Sequence, residues 1–126
     1  MKNYQQDYIL KATPEEVYTA LTNPFTIELW TGYPAVMEEQ EGMEFSMWDG
    51  DIVGKNIHFE PNRKVVQQWY FGDEYPSSTV TILLFKHNRG TKARVIHENI
   101  PDEAYENMKE GWDNNYFGNL QRFFDI

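Results

Sequence analysis

Residues 3 to 11 alternate. Tyr4, Gln6, Tyr8 and Leu10 fall on one face, and Gln5, Asp7, Ile9 and Lys11 on the other. A period of two predicts a strand. The pattern then changes at Thr13-Pro14-Glu15-Glu16, where Thr at the N-cap, Pro at the first helical position and Glu at the third start a helix. Val17, Tyr18 and Leu21 give that helix its apolar stripe. Asn23-Pro24 repeats the start signal and predicts a second short helix over 24–30, ending near Gly32.

From Ala35 to Ile100 every signal is strand or turn. Val36-Met37-Glu38 reads as a short strand and Glu41-Gly42 as a turn. Met43 to Trp48 is a strand with Phe45 and Met47 on one face, and Asp49-Gly50 predicts a two-residue hairpin into a strand over 51–59. Strands over 64–71, 78–85 and 91–100 follow, separated by a turn at 60–63, a loop at 72–77 holding Pro76, and a hairpin turn at 88–90. Pro101-Asp102-Glu103 opens a long helix with Ala104, Met108, Trp112, Tyr116, Leu120, Phe123 and Phe124 near helical spacing. The expected class is α+β in the order β-α-α-β×6-α, a curved antiparallel sheet of about seven strands around the C-terminal helix.

The 126 residues make one domain, 1–126, long enough to bury about two-thirds of its unfolded surface on a single core. Aromatics are 16% of the chain, which excludes a disordered segment. With 11 Lys plus Arg against 20 Asp plus Glu, the net charge of -9 repels phosphate backbones and anionic lipid, so nucleic-acid binding is not expected. Cysteine is absent, which removes disulfides, thiolate metal sites and Cys nucleophiles. The N-terminus lacks a signal-peptide core and no apolar run reaches the roughly 20 residues of a membrane span, so the expected place is the cytoplasm. A monomer is expected, with a dimer through a sheet edge as the alternative.

Chemistry is sparse. Ser46, Ser77 and Ser78 lack a nucleophile-elbow pattern, and His58, His87 and His97 lack metal-ligand spacing. No catalytic residue, metal or cofactor is expected. Asp49-Gly50-Asp51 is read as the turn that Asp-Gly demands and not as a cation loop. Glu38, Glu39 and Glu41 form either a solvated edge or a docking patch for a basic partner. If Ala93, Val95, His97 and Asn99 share a face, His97 and Asn99 enter the concavity, as core residues or as groups that orient a ligand or move a proton. The aromatic rings are equally open to two readings, a plain core or the lining of an apolar pocket. That lining would comprise Trp30, Tyr33, Phe45, Met47, Trp69, Phe71, Val95, Met108 and Trp112, with Gln67, His97 and Asn99 as polar anchors.

Several fragments, in order, resemble a known family. They are Thr13 through Pro24 followed by Trp30; Gly42-Met43-Glu44-Phe45-Ser46, Asp49-Gly50 and Gly54; Trp69, Pro76 and Ser78 through Ile82; Gly90-Thr91; His97 through Pro101; and Gly111-Trp112 with Tyr116-Phe117. Together they resemble the C-terminal-type domain of activators of the heat-shock protein 90 ATPase, within the START-like (SRPBCC, Bet v 1-like) helix-grip superfamily. The resemblance implies a sheet gripping the last helix, often around a cavity. It implies either a stand-alone, non-enzymatic domain binding a small hydrophobic ligand, a protein partner or both, or a co-chaperone that stimulates the heat-shock protein 90 ATPase. A third implied possibility is a cyclase or hydrolase using His97. The further N-terminal domain of eukaryotic activators is expected to lie outside these residues, and Tyr70 stands where the family often has Arg.

Overall fold

Thr13 does what its sequence context requires. In the computed structural model, which describes residues 1–125, its hydroxyl accepts from the Glu16 backbone N–H while the Glu16 carboxylate accepts from the Thr13 N–H. Two of the unpaired donors at the start of a helix are satisfied at once. Helix α1 therefore runs Pro14–Thr22. The Asn23 side chain caps α2, Pro24–Thr31, which Gly32 ends in the left-handed conformation.

Six strands form one antiparallel sheet: β1 Lys2–Leu10, β2 Glu44–Met47, β3 Ile52–Glu60, β4 Lys64–Trp69, β5 Ser78–His87 and β6 Gly90–Ile100, in the order β1-β6-β5-β4-β3-β2. Buried positions alternate most clearly in the central strands, as in Val65, Gln67 and Trp69 of β4 or Ala93, Val95 and His97 of β6. Helices α1 and α2 and the C-terminal helices pack on that buried face. Gly54 lets β3 and β4 approach closely, since a Cβ there would lie 1.9 Å from the Gln68 carbonyl oxygen.

The expected seventh strand is absent. Val36 makes a single bridge to Ser46. Beyond it the Glu38 carbonyl is already taken by the Asn56 side chain and the Gln40 backbone N–H, so the ladder has no acceptor with which to continue. Asp49-Gly50 does join two strands, but not as a two-residue turn. The last pair is Met47 with Ile52, and the four-residue loop between them places Trp48, Asp49 and Gly50 at φ of 51, 54 and 96°.

The long helix is also interrupted. A 3-10 turn at Asp102–Ala104 leads into α3, Tyr105–Gly111, then a π-turn at Trp112–Tyr116, then α4, Phe117–Phe124. The cause is legible in the spacing. Positions 104, 108, 112, 116 and 120 recur every four residues, and each such step overshoots an α-helical turn by about 40°. The π-turn inserts one residue per turn and brings the stripe back to the sheet. Trp112, Tyr116 and Leu120 are all buried as a result.

Candidate functional site

Trp69 on β4 and Trp112 on the π-turn stack with ring centres 4.9 Å apart. Tyr116 lies one π-turn on, 4.7 Å from Trp112 and 5.1 Å from Trp30. Trp30 in turn donates its indole N–H to the Ala20 carbonyl at 2.7 Å. Phe45, Met47, Val65 and Val95 fill the sheet side of this cluster, all buried. The concavity between sheet and helix is thus occupied by the protein's own rings.

Two buried polar chains run through it. In the first, the Trp112 indole N–H donates to His97 Nδ1 at 3.1 Å. An indole nitrogen only donates, so Nδ1 is bare and the ring proton of neutral His97 sits on Nε2. That proton faces Ser78 Oγ at 2.8 Å, and the hydroxyl points on to the Trp69 carbonyl at 3.5 Å. Burial lowers the His97 pKa to about 4, so the ring is neutral at pH 7. In the second chain Trp69 donates to Gln67, Gln67 to Asn56, and Asn56 to the Glu38 carbonyl, at 2.9, 3.0 and 3.1 Å. Among the described residues no buried side-chain nitrogen or oxygen lacks a partner.

A groove of about 480 Å³ opens beside the cluster, between the β2–β3 loop and the C-terminal helices. Trp48, Ile52, Trp69, Met108, Trp112 and Tyr116 form its floor and walls. Asp51, Asn107, Glu110, Asn114 and Asn115 form an exposed rim. On the far side of the helix Asp113 is held by β1, its Oδ1 accepting from the Tyr8 hydroxyl at 2.5 Å and the Tyr4 hydroxyl at 3.0 Å. Burial, and then the bond to Asp113, raise the Tyr8 pKa far above the ordinary phenol value.

Of the residues singled out in the sequence, Trp30, Phe45, Met47, Gln67, Trp69, Val95, His97 and Trp112 are brought together in the buried face. Phe71 is half-buried with its ring 6.1 Å from His97, and Met108 is half-buried on the groove. Two residues are placed elsewhere. Tyr33 is 49% exposed, because Gly32 turns the chain away after α2. Asn99 leaves the His97 face: it sits at φ 64° in an irregularity of the β1–β6 pairing, and its amide donates to the Ser77 carbonyl. Trp48, Tyr116, Asp51 and Glu110 line the groove but were not among the expected lining residues. Trp48 stands directly before Asp-Gly, a position that reads as a strand end. Glu41 and His58 pair at 2.8 Å, so part of the acidic run is tied to β3. No group of His, Asp and Glu among the described residues could hold a metal ion, and no helix among them is long and apolar enough to cross a membrane.

The comparisons with known proteins agree with one another. The family model described as "Activator of Hsp90 ATPase homolog 1-like protein" matches residues 11–125. The human activator of 90 kDa heat shock protein ATPase homolog 1 is 28% identical over 114 residues, 89% of this chain and 34% of that protein. The chain therefore spans about a third of the length of the curated relatives it matches. A crystal structure described as an HSP90 activator from Plasmodium falciparum is 26% identical with a TM-score of 0.83, covering 97% of this chain and 94% of that one. The solution structure of an Aha1 dimer from Colwellia psychrerythraea shares the fold at 23% identity and a TM-score of 0.81, covering 100% and 98%.

Proposed function

The chain belongs to the Activator of Hsp90 ATPase homolog 1-like family, and from that premise we propose that it is a non-catalytic protein-binding domain whose partner is a chaperone of the heat-shock protein 90 type. The contact is the groove at the β2–β3 loop together with the acidic surface around it. The observation that carries this reading is the placement of the aromatic cluster. The concavity is filled, and beside it the half-buried Trp48 stands at the groove over the buried Trp69, Trp112 and Tyr116. Trp and Tyr at the centre of a contact supply most of its energy, and rim charges mainly steer the encounter.

A non-enzymatic role is supported by His97. Both ring nitrogens are engaged, by Trp112 and Ser78, and the ring stays neutral far below pH 7. A general base needs a free nitrogen poised near the working pH. The proposed state is a monomer in the cytoplasm, since copies of a chain carrying -9 repel one another. The human and Plasmodium relatives are described as activators, and stimulation of the chaperone ATPase is the activity proposed for this chain.

A second reading, favoured by the aromatic floor of the groove, has a small apolar ligand bound there. The experiment is a chaperone ATPase assay with the wild-type chain and Trp48→Ala. Stimulation that weakens with added salt and falls sharply in the variant supports the first reading. No stimulation and no complex with the chaperone overturns it.

A further inference from the structure

We infer that the groove receives a cationic side chain, lysine or arginine, presented by the partner protein. The inference rests on the partner-binding reading above and names the chemistry of that contact. The groove is lined by the half-buried Trp48, Ile52 and Met108, over the buried Tyr116 and the buried Trp69–Trp112 stack. A partly open indole such as that of Trp48 attracts a cation as well as apolar matter. The rim carries two carboxylates, Asp51 from the β2–β3 loop and Glu110 from α3, and no Lys, Arg or His lines the groove. Neither carboxylate is in an ion pair among the described residues.

An anion would meet two carboxylates and no cation there. A purely apolar group would cover the rings and strip water from the two carboxylates without replacing it. A lysine or arginine satisfies both: its aliphatic stem lies along the rings and its charged head reaches the rim.

Two irregularities hold this shape. Trp48 and Asp49 are consecutive non-glycine residues at φ of 51 and 54°. Such conformations cost energy and persist where the surroundings hold them. Here the indole of Trp48 is held edge-on to Trp30 at 5.4 Å, at the mouth of the groove. The π-turn places Trp112 and Tyr116 side by side beneath the groove.

The test uses the full chain, isotope-labelled, titrated with Nα-acetyl-lysine N-methylamide and with its norleucine analogue, which has the same length of stem and no charge. The expected result is a saturable shift of the Trp48 indole signal, with the lysine compound bound at least about fivefold more tightly than norleucine. Asp51→Asn with Glu110→Gln, both on exposed side chains, should erase that preference and leave the spectrum otherwise intact. Equal affinity for norleucine overturns the inference and assigns the groove to apolar ligands. The absence of any indole shift overturns it, as do indole shifts produced by raising the protein concentration alone, which assign the groove to a second copy of the chain. A chaperone complex that forms while lysine preference is absent overturns this inference alone; loss of the complex with lysine preference present overturns only the choice of partner.

Discussion

Trp112 and His97 are joined by one hydrogen bond, indole N–H to Nδ1 at 3.1 Å, which is the polar tie between the C-terminal helices and the centre of the sheet. It fixes the helix on β6 and fixes the tautomer of the histidine. Around it every ring packs on another ring, so the interior is set by a donor and an acceptor whose positions cannot drift.

The burial of His97 makes stability depend on pH in a particular window. The folded pKa of His97, about 4, lies below the ordinary 6.5, so the unfolded chain takes up the proton first. The contribution is fully present above pH 6.5 and is lost as pH falls towards 4, by about 3 kcal/mol at the end of the window. Urea unfolding at a series of pH values should show this slope in the wild type. In His97→Gln the slope should vanish, although the variant is less stable throughout. A slope unchanged by the substitution would assign it to other groups.

His58 titrates with the opposite sign. The Glu41 carboxylate at 2.8 Å and the Glu60 carboxylate at 3.2 Å hold its pKa above 6.5. Its contribution is complete below pH 6.5 and is lost as pH rises through the raised folded value. Proton NMR of the ring should give a pKa that moves down towards 6.5 in Glu41→Gln. An identical pKa in the two proteins would show that the pairing is not made in solution.

The π-turn depends on Gly118. A Cβ there would lie 2.7 Å from the Asp113 carbonyl oxygen, so Gly118→Ala should cost about 1–3 kcal/mol. Gly111, one residue before the turn, has nothing within 4 Å and helical φ/ψ. Gly111→Ala should leave stability unchanged or raise it by roughly 0.5–1 kcal/mol, the usual helix preference for alanine. Denaturant midpoints of the two variants check this directly, and equal losses would contradict the turn geometry.

Asp113 is the anchor that holds the turn against β1. Tyr8→Phe should destabilise by about 1 kcal/mol, because the carboxylate keeps its bond from Tyr4. The double variant with Asp113→Ala should lose less than the sum of the two single losses, as expected for groups in one network. Strict additivity would mean that the three side chains do not act together.

Much of this was legible in the chain, and the failures have causes. Thr13-Pro14-Glu15-Glu16 and Asn23-Pro24 set their helices because the capping partners lie within three residues. The alternation in β1, β4 and β6 was readable because one face is buried. Val36 failed to extend as a strand because the Asn56 side chain, 18 residues from Glu38 in sequence, competes for the next acceptor. Asn99 left its face through a shift in pairing with β1, which no local pattern records. The strict four-residue spacing in the last helix was a signal for the π-turn, since an uninterrupted α-helix would have rotated its aromatics away from the sheet. The groove was hidden because Trp48 depends on a left-handed backbone at a residue that gives no sequence sign of it.

The most direct test of the account is a titration of the isotope-labelled chain with a heat-shock protein 90 chaperone at about 50 mM and about 500 mM salt, which spans strong and weak screening. The account predicts a complex whose signal changes centre on Trp48, Asp51, Glu110 and Tyr116 and whose affinity drops at the higher salt. A complex that forms through another face and ignores salt, or no complex at either concentration, would contradict it.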